Sequence, residues 1–413
     1  MKFNYYHSIL VIVTVGIFYS NVPLYSFETQ GFTVLEAPKH WVLLFSLLAL
    51  PILLRHMDVL AALMKNPVAI WCLGHAWVAV LWFLLSSQSD TAWQEVRNRF
   101  FAIIEIFTFL VIFWEPGAIR LARKTLVGCV LFAVALNIYE VFVPMSFSDL
   151  PGRSAGLFIN PTLAGEALVL GMILSVTVLG PRYRGPFVLV TGIGILTTFS
   201  RGGILAWVIA VAGLMLLRGI SLKNILLPCV LGIVFGILIV LPRLDQILTT
   251  WERTGVLNTN VLERLEWLSD PTGVSDRSSS ERKYLAQQAW EKIAERPVLG
   301  SGTGSSYEAT IPPHNQYLAF MLDHGLIGVM ILPLLILAVV WHARGEMRHE
   351  AILFACVFLL LSLFSNTMLG TQYNLLAISL MAAMAAMSRH QESQRTITMK
   401  RKGSATERGL ASA

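Results

Sequence analysis

The chain is poor in charge. Asp, Glu, Lys and Arg make up 14% of its 413 residues while hydrophobic residues reach 55%; about a quarter charged is usual in soluble domains. With a mean hydropathy of +0.65, this excludes a soluble globular domain and predicts an all-α polytopic membrane protein. Cysteine is scarce as well. Cys72, Cys129, Cys229 and Cys356 all lie inside apolar runs, so neither a disulfide framework nor a CxxC metal pair is available. There is no internal repeat, no Walker-type phosphate loop and no cytoplasmic segment long enough for a nucleotide-binding domain. The energy for any reaction must therefore arrive in the substrate or in an ion gradient. The first apolar run, Ile9 to Tyr25, has no small-residue cleavage site after it, which predicts a retained transmembrane helix.

Apolar runs predict about twelve transmembrane helices, near 8–26, 40–54, 67–86, 100–114, 124–143, 162–180, 186–199, 203–217, 224–241, 315–342, 350–368 and 371–388. Arg55 and Lys65, Arg120, Arg123 and Lys124, Arg182 and Arg184, Arg218 and Lys223, and Arg344 and Arg348 fall in every second loop. Those loops and both termini are therefore expected in the cytoplasm. The opposite loops hold Lys39, Arg97, Arg99, Arg153, Arg201 and the long segment 242–313, and a long loop translocates largely regardless of its charge. The expected organisation is nine helices over 1–241, an outward loop domain over 242–313, three helices over 314–388 and a basic cytoplasmic tail over 389–413. That tail is polar and aperiodic, which predicts disorder near anionic headgroups.

The only long polar stretch, Ser278 to Gly328, ends by entering an apolar helix, and a loop of that length is more often functional than decorative. At its centre Pro312 and Pro313 cannot continue a helix backwards and Asn315 is a helix starter, so His314 is placed at a helix N-terminus. Such an end favours an anion and disfavours a protonated imidazole; a neutral His314 there has the means to accept a proton beside a phosphate. A capping or packing histidine is the plainer alternative.

Three arginines share the outward side. Arg282 lies on one stripe of an amphipathic helix with Leu285, Ala286, Ala289 and Ile293, opposite Glu281, Gln288, Lys292 and Glu295. An anion site or a structural ion pair accounts for its inward aim. Arg201 sits in Ser200-Arg201-Gly202-Gly203, where it either snorkels to water or closes on a ligand over a backbone freed by the glycines. Arg153 belongs to a loop ending in Asn160-Pro161. Three planar guanidinium forks and a histidine on one face suggest a phosphate-bearing lipid. Gly300 and Gly302, in a Gly-Ser-Gly-Thr-Gly run, either add backbone N–H donors or form a flexible linker. No HxxxH, DxD or Asp/His cluster accompanies His314, while Asp323 and His324 lie further along its helix; no metal is expected. Glu105, Glu140 and Glu166 fall within or at the ends of apolar runs and form either a proton path or buried pairs, of which the pairs are expected.

The order Arg153, Asn160-Pro161, then Thr198-Phe199-Ser200-Arg201-Gly202, then Arg282 with Glu295-Arg296-Pro297-Val298-Leu299-Gly300-Ser301-Gly302, then His314-Asn315-Gln316-Tyr317-Leu318 and His324-Gly325-Leu326-Ile327-Gly328 resembles the O-antigen ligase and polymerase superfamily. It covers residues 150–330 by motif. The resemblance implies a GT-C-like, lipid-dependent glycosyltransferase of the bacterial inner membrane, without cofactor or metal, its active site facing the periplasm. The donor it implies is an undecaprenyl diphosphate-linked glycan and the acceptor a sugar hydroxyl of lipid A-core, in lipopolysaccharide synthesis with inversion of the anomeric centre. Membrane lipids are the other partners, and no nucleic acid is implied. Under it His314 is the catalytic base, Arg201, Arg282 and Arg153 hold the diphosphate, and Asn315, Gly300, Gly302 and Asn160 are further site candidates. Members that polymerise O-antigen repeats or glycosylate proteins share the pattern, and the single dominant outward loop favours the ligase. A lipid or sugar transporter, from a different class, would show repeats and ionisable residues on interrupted midplane helices.

If alternating basic loops set the orientation, a topology reporter fused after Ser388 reads cytoplasmic and one inserted near Thr259 reads periplasmic. Both reporters on one side would remove the shared face on which His314 and the arginines are grouped.

Overall fold

The apolar runs within the described residues are opened by polar or proline breaks and fold as helices in the computed structural model, which describes residues 4–30, 38–55, 63–217, 219–224, 226, 230, 249, 251–253, 257–259, 261–263, 277–308 and 312–411. No strand occurs among them. The helices are α1 (Tyr5–Thr14, continued by a π-helical turn, Val15–Tyr19), α2 (Val22–Gln30), α3 (Pro38–Arg55), α4 (Pro67–Phe83), α5 (Asp90–Ile112), α6 (Pro116–Phe142), α7 (Pro161–Ser175), α8 (Pro181–Thr197) and α9 (Arg201–Leu216). Further along the chain come α10 (Arg277–Glu295), the one-turn α11 (Ser305–Glu308), α12 (Gln316–His324), α13 (Leu326–Val340), α14 (Glu346–Leu361) and α15 (Gln372–Ala411).

By length and composition α3, α6 and α7 with its 3₁₀ extension to Val178 are able to cross a membrane, and α1 with α2 forms a fourth candidate bent by 49°. The helices α4, α9 and α13 are apolar but shorter. This is the architecture of a polytopic α-helical membrane protein. The helix expected over 224–241 and most of 242–276 lie outside the described residues. Two other expectations change. The run 315–342 is two helices, because Gly325 takes φ +60°. The tail continues helically to Ala411, since its Gln, Glu, Lys, Arg and Met are good helix formers even where no apolar stripe marks them.

The centre of the bundle is α7, buried without interruption from Ala164 to Ser175. It packs on α6, α8, α9, α14 and α15, and α15 also runs along α5. Glu166 of α7 accepts from the Tyr373 hydroxyl of α15 at 3.1 Å. Glu140, at the end of α6, gathers backbone donors instead of a cation: Phe147 N (3.0 Å), Ser148 N (2.5 Å), Ala155 N (2.8 Å) and Gly156 N (3.1 Å). One carboxylate thus folds the whole α6–α7 connection around itself. Glu105 is buried with Oε1 unpartnered among the described residues. Charged pairs were expected for these glutamates; a tyrosine and a set of backbone amides take their place, because amide dipoles solvate a carboxylate without desolvating a second ion.

Arg123 pairs with Glu350 at 2.9 Å, and a more deeply buried ion pair involves residues the sequence placed elsewhere. Arg99, expected in a loop, is on α5 and 5% exposed. Its Nη2 donates to Asp323 Oδ2 of α12 at 2.5 Å, its Nε to Glu95 Oε1 at 3.3 Å, and its Nη1 meets His324 Nε2. On its other oxygen Asp323 accepts from Ser306 N (2.9 Å) and Ser305 Oγ (3.1 Å), tying α11 to the same point. Breaking a buried pair by removing one partner leaves an uncompensated charge, so Arg99→Leu should cost about 3–5 kcal/mol. The Arg99→Leu, Asp323→Leu double variant should cost less than Arg99→Leu alone, read as the midpoint of denaturant unfolding in detergent; equal losses would mean that the pair does not couple α5 to α12.

Candidate active site

Three helices begin at one cavity. Asn160 caps α7, its Oδ1 accepting from Thr162 N at 2.9 Å. Ser200 caps α9, its Oγ accepting from Gly203 N at 3.3 Å. Asn315 caps α12, accepting from Tyr317 N at 2.9 Å and Leu318 N at 3.2 Å. Thr162, Ser200 and Asn315 line a cavity of about 340 Å³ together with Arg153, Arg201, Arg282 and His314. A larger adjoining chamber of about 800 Å³ adds Asn160 to Arg153, Arg282 and His314. Each helix N-terminus carries partial positive charge from unpaired N–H groups, and three guanidiniums stand beside them. The cavity is therefore built to attract an anion.

Each side chain is placed by its local structure. Arg153 is buried in the loop that Glu140 organises, and its Nε donates to Thr198 O at 3.0 Å. That bond joins the α6–α7 loop to the start of α9, where Arg201 is the first helical residue. The turn before it is made at Phe199, with φ +49°, a left-handed conformation costly for a side chain with a Cβ. The glycines after Arg201 are packing devices instead of ligand-closing ones. A Cβ on Gly202 would lie 3.0 Å from the Phe364 ring and one on Gly203 would lie 3.3 Å from Gly165 Cα. Arg282 is aimed inward as the stripe predicted: further along the same face of α10, Ala289 and Ile293 are buried against Leu318 and Leu322 of α12.

His314 precedes the Asn315 cap and lines both chambers. Lost hydration lowers its pKa below the ordinary 6.5, and the nearby Arg282 guanidinium lowers it further against the opposing effect of Glu281. The neutral imidazole is thereby favoured, free to take up a proton.

The structure brings together Arg153, Arg201, Arg282, His314, Asn315 and, in the larger chamber, Asn160. Gly300 and Gly302 are not among them. Ser301 N donates to Leu322 O at 2.8 Å and Gly302 N to Asp323 O at 2.9 Å. These two amides are spent on carbonyls at the C-terminal end of α12, which have no partner within the helix, while Gly300 N donates to Arg296 O at 2.9 Å and Thr303 N to Trp82 O at 3.3 Å. Its glycines admit close backbone approach: a Cβ on Gly300 would stand 2.5 Å from Gly325 N, and one on Gly302 2.4 Å from Ser86 Cα. Sequence reasoning missed the Glu95, Arg99, Asp323 and His324 cluster behind α12. The signal available was Glu95 and Arg99 at i, i+4 ahead of an apolar run, with an Asp-His pair inside another.

A search of curated proteins returns no match. Residues 186–333 match a family described as O-antigen ligase. That span runs from α8 into α13 and contains Arg201, Arg282, His314 and Asn315, with Arg153 and Asn160 ahead of it. The match over these residues supports membership of the O-antigen ligase and polymerase superfamily.

Proposed function

We propose that the protein is an O-antigen ligase of about twelve transmembrane helices in the bacterial inner membrane. It transfers a polysaccharide from undecaprenyl diphosphate to a sugar hydroxyl of lipid A-core at the periplasmic face. The observation that carries this reading is the convergence of three helix N-termini, three arginines and a neutral histidine on one cavity in a superfamily member. As the glycosidic bond breaks, negative charge grows on the leaving diphosphate. Arg201, Arg282 and Arg153 meet it with bidentate hydrogen bonds, and the N-termini of α7, α9 and α12 add their dipoles. His314 accepts the proton of the acceptor hydroxyl as that oxygen attacks the anomeric carbon from the face opposite the leaving group. The anomeric centre is inverted in one displacement, with no covalent enzyme intermediate. Asn315 and Asn160 act through the helices they cap, which makes them positioning residues.

Repeat-unit polymerase is the second reading, with another lipid-linked glycan as acceptor; the same chemistry serves it. Purified protein in detergent, given lipid-linked glycan and lipid A-core, should join the two without any ion gradient. Chain growth on the donor alone would establish the polymerase, and activity that needs a gradient would establish transport.

In the same assay His314→Ala should lower transfer by about a hundredfold or more while donor binding holds, the usual scale of general-base catalysis. Asn would serve a residue that merely caps or packs at a helix start, so near-normal transfer by His314→Asn would remove the catalytic role. Arg201→Lys and Arg282→Lys keep the charge and lose the fork; both transfer and donor affinity should fall.

The acid limb of the pH profile follows from the histidine. The protonated ring cannot accept a proton, so transfer should fall as pH drops through an apparent pKa below the ordinary 6.5. Removing the Arg282 charge in Arg282→Gln should move that limb to higher pH. A limb unmoved by this change would disconnect the profile from His314.

A further inference from the structure

The end of the bundle away from His314 carries a separate cationic pocket. α14 finishes beside the site, where Ser362 O accepts from Gln316 N, and its 16 residues put its first turn about 24 Å away. There one face of each of three helices meets around a cavity of about 530 Å³: Leu337 and Trp341 at the end of α13, Arg348 and Ile352 of α14 and Glu392 of α15, with Arg344 in the turn between α13 and α14. The spacings 337/341 and 348/352 each mark a single helix face. The turn is fastened to α15, Ser388 Oγ accepting from Arg344 N at 3.0 Å.

The charges on this wall do not cancel. Arg344 is partly committed, its Nη1 donating to Trp341 O at 3.0 Å and Ala343 O at 2.9 Å and its Nε standing 3.9 Å from Glu392. Both members of that pair are exposed, and an exposed pair is weak. Arg348 is exposed, and its guanidinium has no partner among the described residues. Beside the pocket Arg389 meets His342, whose pKa lost hydration, Arg389 and Arg344 lower from the ordinary 6.5, so that it adds no charge at neutral pH. Glu346 precedes Arg348 by two residues and so lies on the other side of α14. The remaining wall is apolar and outward: Leu337, Trp341 and Ile352 are exposed, and on a bundle that crosses a membrane such side chains meet acyl chains. A tryptophan at a helix end marks the membrane boundary, which puts the two arginines at the depth of lipid headgroups.

A matching ligand is anionic at one end and apolar just beyond it. We propose that this pocket binds an anionic phospholipid, its phosphodiester on Arg348 and Arg344 and the start of an acyl chain along Leu337, Trp341 and Ile352. The guanidinium fork suits a phosphate, and a basic pocket between membrane helices is a ready headgroup site. The binding depends on neither the His314 cavity nor the transfer reaction.

The test is quenching of tryptophan fluorescence in the full chain in detergent by two phospholipids with brominated acyl chains, phosphatidylglycerol and phosphatidylcholine. The part due to Trp341 is the difference from Trp341→Phe. Phosphatidylglycerol should quench Trp341 at a lower mole fraction than phosphatidylcholine, and excess inorganic phosphate, which lacks the chain, should not displace it. Arg348→Gln should raise the phosphatidylglycerol mole fraction for half quenching about fivefold, the usual contribution of one cation at an anionic membrane surface. Arg348→Lys should keep most of the preference, and the Arg344→Gln, Arg348→Gln double variant should erase it. Should the glutamine variants of the arginines fail to fold by their melting profiles, Glu392→Gln carries the comparison: loss of the opposing carboxylate should strengthen the preference, and no gain would count against the site. Equal quenching by the two lipids, or a preference for phosphatidylglycerol that survives in the double variant, overturns the proposal. Displacement of the lipid by inorganic phosphate overturns it too, making the pocket a site for the free anion.

Discussion

A helix of nine residues does not hold its shape or direction alone, and the site hangs on one. α12 is fixed at its C-terminal end by the buried Arg99 to Asp323 pair and by the amides of Ser301 and Gly302. At its other end Gln316 N donates to Ser362 O at 2.9 Å and Gln316 Oε1 accepts from Met368 N at 3.0 Å. Along its side α10 closes an apolar seam through Ala289 and Ile293. The direction of the His314 ring is thus set by contacts with four other parts of the chain. Arg99 does not line the cavity of His314, and it reaches that cavity only through the helix it anchors.

Charge is used sparingly and in two different ways. Inside the bundle Glu166 is matched to Tyr373 and Glu140 to four backbone amides. In the cavity three arginines gather with three helix N-termini, an arrangement suited to an anion. Arg282 also lowers the pKa of His314, so under the proposed function the same group would bind the leaving diphosphate and keep the base neutral.

The connection between α14 and α15, through Asn366 and Thr367, lines both the chamber beside His314 and a further cavity of about 620 Å³ whose wall holds Glu95 and Glu105 together with Lys39, Arg97 and Arg99.

Local and periodic features were legible in the residues. Hydropathy alone specifies an all-helical membrane protein; Pro313 and Asn315 place His314 at a helix start, and the spacing of Arg282 with Leu285, Ala289 and Ile293 fixes which way that arginine faces. All of these depend on neighbours within a turn or two of helix. What tertiary structure decided depends on residues far apart in the chain. Whether the Ser301 and Gly302 amides serve a ligand or the carbonyls of α12 is settled by which unpaired groups lie opposite them, and no local pattern records that. Arg99 reads as a loop charge until α5 begins ten residues before the apolar run and packs it 2.5 Å from Asp323, 224 positions away. The break at Gly325 follows from the same cause: a Cβ there would stand 2.3 Å from Val298 O, a contact that exists only once the loop has folded back onto the helix.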